Sequence, residues 1–134
     1  MNKLITISGN AEIQGVDQKL ITLVEDLAAF LNQKIIITSG FRQGDKGQHG
    51  AGLAVDLMCP GISTLDFYLA AERFPFIGIG VYSDWQISGV TYGGIHVDIR
   101  NSSPARWFGF RDPRNGVNSY LALSKDNLKK YGVI

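Results

Sequence analysis

His49-Gly50-Ala51-Gly52-Leu53-Ala54-Val55-Asp56 is the stretch on which the fold turns. It passes from a glycine-rich loop into a segment that alternates, and alternation at period two is the signature of a strand with two unlike faces. In a strand from Leu53 to Met58, Leu53, Val55 and Leu57 point one way, and Ala54 and Asp56 the other. Asp56 therefore leaves the apolar face, and Ala54 beside it is small enough to leave room for a ligand sphere. His49 sits among glycines that disfavour a helix, so it reaches any site from a loop. A second segment, Gly94-Ile95-His96-Val97-Asp98-Ile99-Arg100, repeats the pattern, with Ile95, Val97 and Ile99 on one face and His96, Asp98 and Arg100 on the other. These are the chain's only 2 histidines. Two imidazoles and a carboxylate make a three-ligand set that leaves a fourth tetrahedral position for water, as in catalytic rather than structural zinc sites. The plainer readings are a hydrogen-bonded core or surface histidine, an aspartate capping a loop, and a glycine run that is only a turn.

Outward from that stretch, Leu4 to Ser8 reads as a short strand, and Asp17 opens a helix to about Leu31 with Leu20, Val24, Leu27 and Leu31 at helical spacing. Lys34 to Ser39 is β-branched and short, a buried strand. Gly40 to Gly52 is a long loop, and a loop of that length in a small domain is more often functional than idle. Ser63-Thr64-Leu65-Asp66 resembles a capping box starting a helix to about Phe74. Ile77 to Tyr82 and Gly94 to Arg100 read as strands joined by a connection containing glycine and aromatic residues, and Asn118 to Tyr131 as a C-terminal helix with Leu121, Leu128 and Tyr131 on one side. Helices at both ends of several short, mostly hairpin-connected strands predict an α+β fold.

The length of 134 residues fits one domain. A net charge of +1 with scattered Lys and Arg speaks against nucleic-acid or membrane-surface binding, and no apolar run is long enough for a membrane span. The apolar stretch after Met1-Asn2-Lys3 is too short for a signal peptide. Cys59, the single cysteine, rules out an intramolecular disulfide and reads as a small buried hydrophobe.

His49-x-x-Gly52-x-Ala54-x-Asp56 resembles the His-x-x-Gly-x-Ala-x-Asp signature of the D-Ala-D-Ala carboxypeptidase-like zinc peptidases, the superfamily with the hedgehog/DD-peptidase fold. Ser39-Gly40-Phe41-Arg42 looks like that family's Ser-Gly-Tyr-Arg segment, Gly78-Ile79-Gly80-Val81-Tyr82 like its Gly-x-Gly-x-Tyr strand, and Ile95-His96-Val97-Asp98 with Arg106-Trp107 like the ending of a small subgroup. The resemblance runs from about Ile35 to Trp107. It implies a small, mostly antiparallel sheet with flanking helices, Zn2+ bound by His49, Asp56 and His96, and Arg42 contacting the substrate or the charge developing on the scissile carbonyl. The alternative for Arg42 is a salt bridge across the loop with Asp45. The resemblance further implies a monomer that cleaves peptidoglycan stem peptides, as a D,D-carboxypeptidase or murein endopeptidase of phage or prophage origin that other proteins release to the cell wall. Two positions depart from the family. Gly47 stands where a serine is frequent, and Gly93 stands three residues before His96, where many members carry the carboxylate that serves as general base. Gly94 likewise stands where some members carry a histidine. Asp98, on the same strand face as His96, is the substitute base or else a carboxylate that orients a ligand; Asp84 is a further candidate. Tyr82, Trp85 and Tyr92 are candidates to line the cleft or to join the core. The rival expectation is a zinc-containing binding or structural module of the same fold that lacks catalysis.

Overall fold

Alternation and helical spacing sort the chain into a sheet and a helical layer in the computed structural model, which describes residues 2–134. In chain order the elements are β1 (Ile5–Ile7), α1 (Gln18–Leu31), β2 (Ile35–Ser39), β3 (Ala54–Met58), α2 (Thr64–Ala71), β4 (Gly78–Tyr82), β5 (Gln86–Ile87), β6 (Val90–Thr91), β7 (Gly94–Asp98), β8 (Ala105–Arg111), β9 (Asn118–Ala122) and α3 (Lys125–Lys130). Seven strands form one sheet in the order β1-β2-β3-β7-β4-β8-β9, and β5 and β6 form a separate hairpin. The fold is α+β, with a sheet that is mostly antiparallel but mixed, since β1 pairs with β2 and β4 with β8 in parallel. The β1–β2 pair is bridged by α1, as a parallel pair requires, and β8 is a strand that the sequence reading did not name.

One face of the sheet carries the aliphatic stripe. Ile35 and Ile37, Val55 and Leu57, Ile79 and Val81, and Ile95 and Val97 are all buried there against the helices. Helix α1 presents Leu20, Val24, Leu27 and Ala28 to this layer, all fully buried. Asp17 caps its start by accepting from the Lys19 N–H at 2.8 Å, and Asn32 ends it in the left-handed region at φ 50°. Helix α2 starts at Ser63, whose hydroxyl accepts from the Asp66 N–H at 3.1 Å, and it stops at Ala71, short of the expected Phe74.

The C-terminal region departs furthest from expectation. Asn118 to Tyr131 is strand β9 followed by the short helix α3, not one helix. Pairing decides it: β9 lies antiparallel to β8 from Trp107↔Ala122 to Arg111↔Asn118. Ser124 then caps α3 by accepting from the Asn127 N–H at 3.1 Å, so the chain changes period there. Leu121, Leu128 and Tyr131 do meet one core, but from two elements, with Tyr131 stacked on Phe110 at 4.5 Å between ring centroids.

Candidate metal centre and its cleft

The face of the sheet away from the helices carries the polar residues. Strands β3 and β7 pair antiparallel with Asp56 directly opposite His96, so the two side chains leave the same face as cross-strand neighbours. A shift in the β2–β3 register between Ile37 and Ser39 bends β2 beside Asp56. The following loop returns His49 over the same face. Its compactness depends on Gly50, where a Cβ would lie 1.7 Å from the Asp45 carbonyl oxygen.

His49, Asp56 and His96 are all buried, and one ligand atom from each lies within 4.8 Å of the others. The hydrogen bonds behind the rings fix which atoms face inward. His49 Nδ1 is 2.9 Å from the Gly40 carbonyl oxygen, which can only accept, so Nδ1 carries the proton and Nε2 is the free nitrogen. His96 Nε2 is 2.7 Å from Asp98 Oδ2 and donates to it, which leaves Nδ1 facing the cluster. His49 Nε2 and His96 Nδ1 lie 3.3 and 3.2 Å from the same oxygen, Asp56 Oδ1. Lone pairs converging this closely need a positive charge among them, and a divalent cation meets that need. Without a metal, protons on the imidazole nitrogens take that place: burial opposes the charge on Asp56, but hydrogen bonds from His49 and His96 so protonated outweigh it and bring its pKa down to about 2. Burial likewise disfavours protonated His96, yet Asp56 and Asp98 outweigh that and shift its pKa upward. Protons and metal therefore answer to the same field.

Asp98 has no exposure at all. Besides His96 it accepts two side-chain bonds from Arg100, Nε to Oδ1 at 2.9 Å and Nη2 to Oδ2 at 2.6 Å. Burial would raise its pKa, but Arg100 and His96 hold it well below the usual carboxylate range. A carboxylate so engaged orients a histidine; its proton-accepting capacity is already taken up. Of the two roles read from the sequence, the geometry matches the orienting one.

Arg42 makes the Asp45 salt bridge expected as its alternative, and it also reaches Asp56. Its Nη2 is 3.2 Å from Asp56 Oδ2, its Nη1 3.5 Å from Asp45 Oδ2, and its Nε donates to Ser39 Oγ at 3.0 Å. The guanidinium thus borders the cluster through the Asp56 oxygen that the histidines do not use. It remains about half exposed, at 48%, on the side of the cleft.

The cluster forms one wall of an open cleft of about 1040 Å³. The opposite wall is aromatic. Trp107 packs against His96 with centroids 5.0 Å apart, its Nε1 donates to the Tyr82 hydroxyl at 2.9 Å, and Tyr82 stacks on Trp85 at 4.4 Å. Each ring lies on a glycine of a neighbouring strand. A Cβ on Gly80 would sit 2.4 Å from the Trp107 indole, one on Gly109 2.3 Å from the Tyr82 ring, and one on Gly94 2.4 Å from Trp85. Tyr82 and Trp85 thus line the cleft, whereas Tyr92 is 40% exposed on the β5–β6 side. Arg111, Asn118 and Tyr120 extend the cleft along β8 and β9. Sequence reading missed Asn118 and Tyr120 because it made a helix of their segment, and it assigned Arg111 to no element. The alternation Trp107, Gly109, Arg111 was the available signal.

Gly93 has φ +74°, and a Cβ there would lie 2.4 Å from Thr64 Oγ1 and 2.8 Å from the Tyr82 carbonyl oxygen. The position has no room for the carboxylate the resemblance would put there. Asp84, the other candidate base, accepts the Arg111 backbone N–H. Cys59 is buried, and burial pushes its thiol up to about 11. No protein-family model, curated protein or solved structure matches the chain. No helix among the described residues is long and apolar enough to cross a membrane.

Proposed function

We propose that the protein is a zinc-dependent peptidase acting on peptidoglycan stem peptides, as a D,D-carboxypeptidase or a murein endopeptidase. The observation that carries this reading is the convergence of His49 Nε2, His96 Nδ1 and Asp56 Oδ1 at the edge of an open cleft, each fixed from behind. Two imidazoles and one carboxylate are the donor set of hydrolytic zinc sites, which keep a position open to water and substrate. Zinc in such a set supplies Lewis acidity, polarising a carbonyl and making water a usable nucleophile near neutral pH. Arg42 brings a permanent charge and unused N–H donors to the same rim, suited to a substrate carboxylate or a developing oxyanion. Asp98 holds the His96 ring, and through it the ligand geometry. The choice of stem peptide rests on the motif resemblance, as does a phage-type route to the cell wall.

A second reading has its own support: a zinc-containing binding module. Gly93 is sterically closed, and Asp98 is committed to Arg100 and His96, so no free carboxylate stands beside the cluster in the usual base position. Metal analysis of the purified protein and incubation with murein separate the two. One equivalent of zinc together with release of D-alanine or cut cross-links is the expected result. Zinc without either product would leave the binding module. Less than about half an equivalent would overturn both.

A further inference from the structure

Two polar hydrogens of the aromatic wall, the Tyr82 O–H and the Trp85 Nε1–H, donate to no group among the described residues, and only the first belongs to an atom fixed by a second hydrogen bond. Tyr82 accepts the Trp107 Nε1–H at 2.9 Å, which uses one lone pair of its oxygen. Its own O–H donates to no group among the described residues, although the side chain lines the cleft with His49, Asp56, His96 and Arg42. The hydroxyl is also held in place. Its ring is clamped between Trp85, stacked at 4.4 Å, and the bare backbone of Gly109. With the indole N–H approaching one side of the oxygen, the phenolic proton is turned to the other. Burial raises its pKa to about 12, against the opposing effect of the Trp107 bond, so the proton stays on near neutral pH.

We infer that the Tyr82 hydroxyl is a fixed hydrogen-bond donor to the substrate oxygen that gains negative charge, in the cleft that Arg42 also lines, with Trp107 as its positioning residue. The inference rests on the peptidase reading and adds a second donor to it. The role is donation without net proton transfer. It needs no base, and it gives the aromatic wall a part in hydrolysis that Gly93 cannot play.

The test titrates a phosphinate analogue of the D-Ala-D-Ala dipeptide, an anionic tetrahedral probe, into zinc-loaded protein by calorimetry. Zinc content and murein turnover are measured on the same samples. Tyr82→Phe should keep full zinc, bind the probe about 100-fold more weakly, and lose about 100- to 1000-fold in kcat with little change in KM, the size of effect known for one oxyanion donor. Trp107→Phe removes the indole donor together with part of the ring that packs on His96, so it is read only with full zinc content, and its probe affinity should then fall between those of Tyr82→Phe and the unaltered protein. Gly109→Ala keeps the hydroxyl but displaces the ring and should resemble Tyr82→Phe. Should Tyr82→Phe bind the probe as tightly as the unaltered protein, the donor role is overturned, whatever the turnover. A protein that cuts no murein yet loses probe affinity on Tyr82→Phe would sink the peptidase reading and keep the donor. An unaltered protein that neither binds the probe nor cuts murein would sink both, and in one that cuts murein without binding the probe an unchanged kcat for Tyr82→Phe would overturn the donor.

Discussion

The two walls of the cleft stand on one sheet face and are built on opposite principles. On the wall of β3, β7 and the His49 loop, polar side chains are fixed by partners behind them: Gly40 behind His49, Asp98 behind His96, Arg42 beside Asp56. On the wall of β4 and β8, aromatic rings are fixed by what is missing, the side chains of Gly80, Gly94 and Gly109. One wall fails when a hydrogen-bonding group is removed, the other when a methyl group is added. The largest expected effect exposes this difference. His96→Ala should lower bound zinc from about one equivalent to near none at micromolar metal, because two remaining ligands hold zinc poorly. Gly80→Ala, on the neighbouring strand directly opposite His96, should keep zinc and lose probe affinity as the Trp107 ring is pushed aside. Equal zinc contents for these two variants would dissolve the distinction between the walls.

Asp98→Asn tests how deeply the hydrogen-bonded wall is built. Asn offers Arg100 one neutral acceptor where the carboxylate offered two charged ones, and it leaves a half-buried guanidinium underpaired. Breaking a buried ion pair costs about 3–5 kcal/mol, and the residual 19% exposure of Arg100 puts the expectation at the low end, about 3 kcal/mol by denaturant unfolding. Zinc affinity should fall about 10- to 100-fold, the usual effect of losing a histidine's carboxylate partner. The pH dependence has a definite sign. Asp98 is held below its unfolded pKa of about 3.9, so its stabilisation is complete above that pH and is lost as pH falls through the folded value. Acid titrations of the metal-free protein should therefore show a shallower loss of stability in Asp98→Asn. Parallel acid limbs would mean that Asp98 is not the charge-stabilised carboxylate its contacts describe.

The hydrogen-bonded wall was the legible one. Two of its three candidate ligands sit in strands whose aliphatic stripes are unmistakable, and period two alone puts Asp56 and His96 on the face away from the core. Helix α1 was legible for the same reason, with spacing and a cap that agree. The aromatic wall was far less so. Tyr82 and Trp85 were visible only as residues for cleft or core, since nothing in their spacing shows that Gly109 and Gly94 lie beneath them on other strands. Register creates those seats: Tyr82 stands opposite both Gly94 and Gly109. The β8–β9 hairpin was misread because Leu121, Leu128 and Tyr131 suit a helix face, and only the partner strand β8 reveals β9. Local pattern shows which face a side chain takes; long-range pairing shows what it meets there.

The smallest expected effect belongs to Gly93, the place where the walls meet. Gly93→Glu would install a carboxylate where the motifs this chain resembles carry a base, and under the proposed function a simple repair model predicts faster hydrolysis. The backbone predicts otherwise. A side chain at φ +74° costs about 1–2 kcal/mol for an L-residue. The new Cβ would also collide with Thr64 Oγ1, which donates to the Tyr92 carbonyl at 2.9 Å and holds the β6–β7 connection to α2. The Tyr82 carbonyl at 2.8 Å blocks the other escape. Gly93→Glu should therefore unfold more easily by about 2 kcal/mol and hydrolyse no faster. Thr64→Ala in the same chain should recover part of the loss by removing one of the two obstacles. A Gly93→Glu protein as stable as the original and quicker on murein would mean that the turn yields easily. The missing base would then be a simple substitution on an otherwise ordinary scaffold. The expected result says instead that the connection was built around a glycine, with Thr64 and the Tyr82 carbonyl filling the space that a base would need.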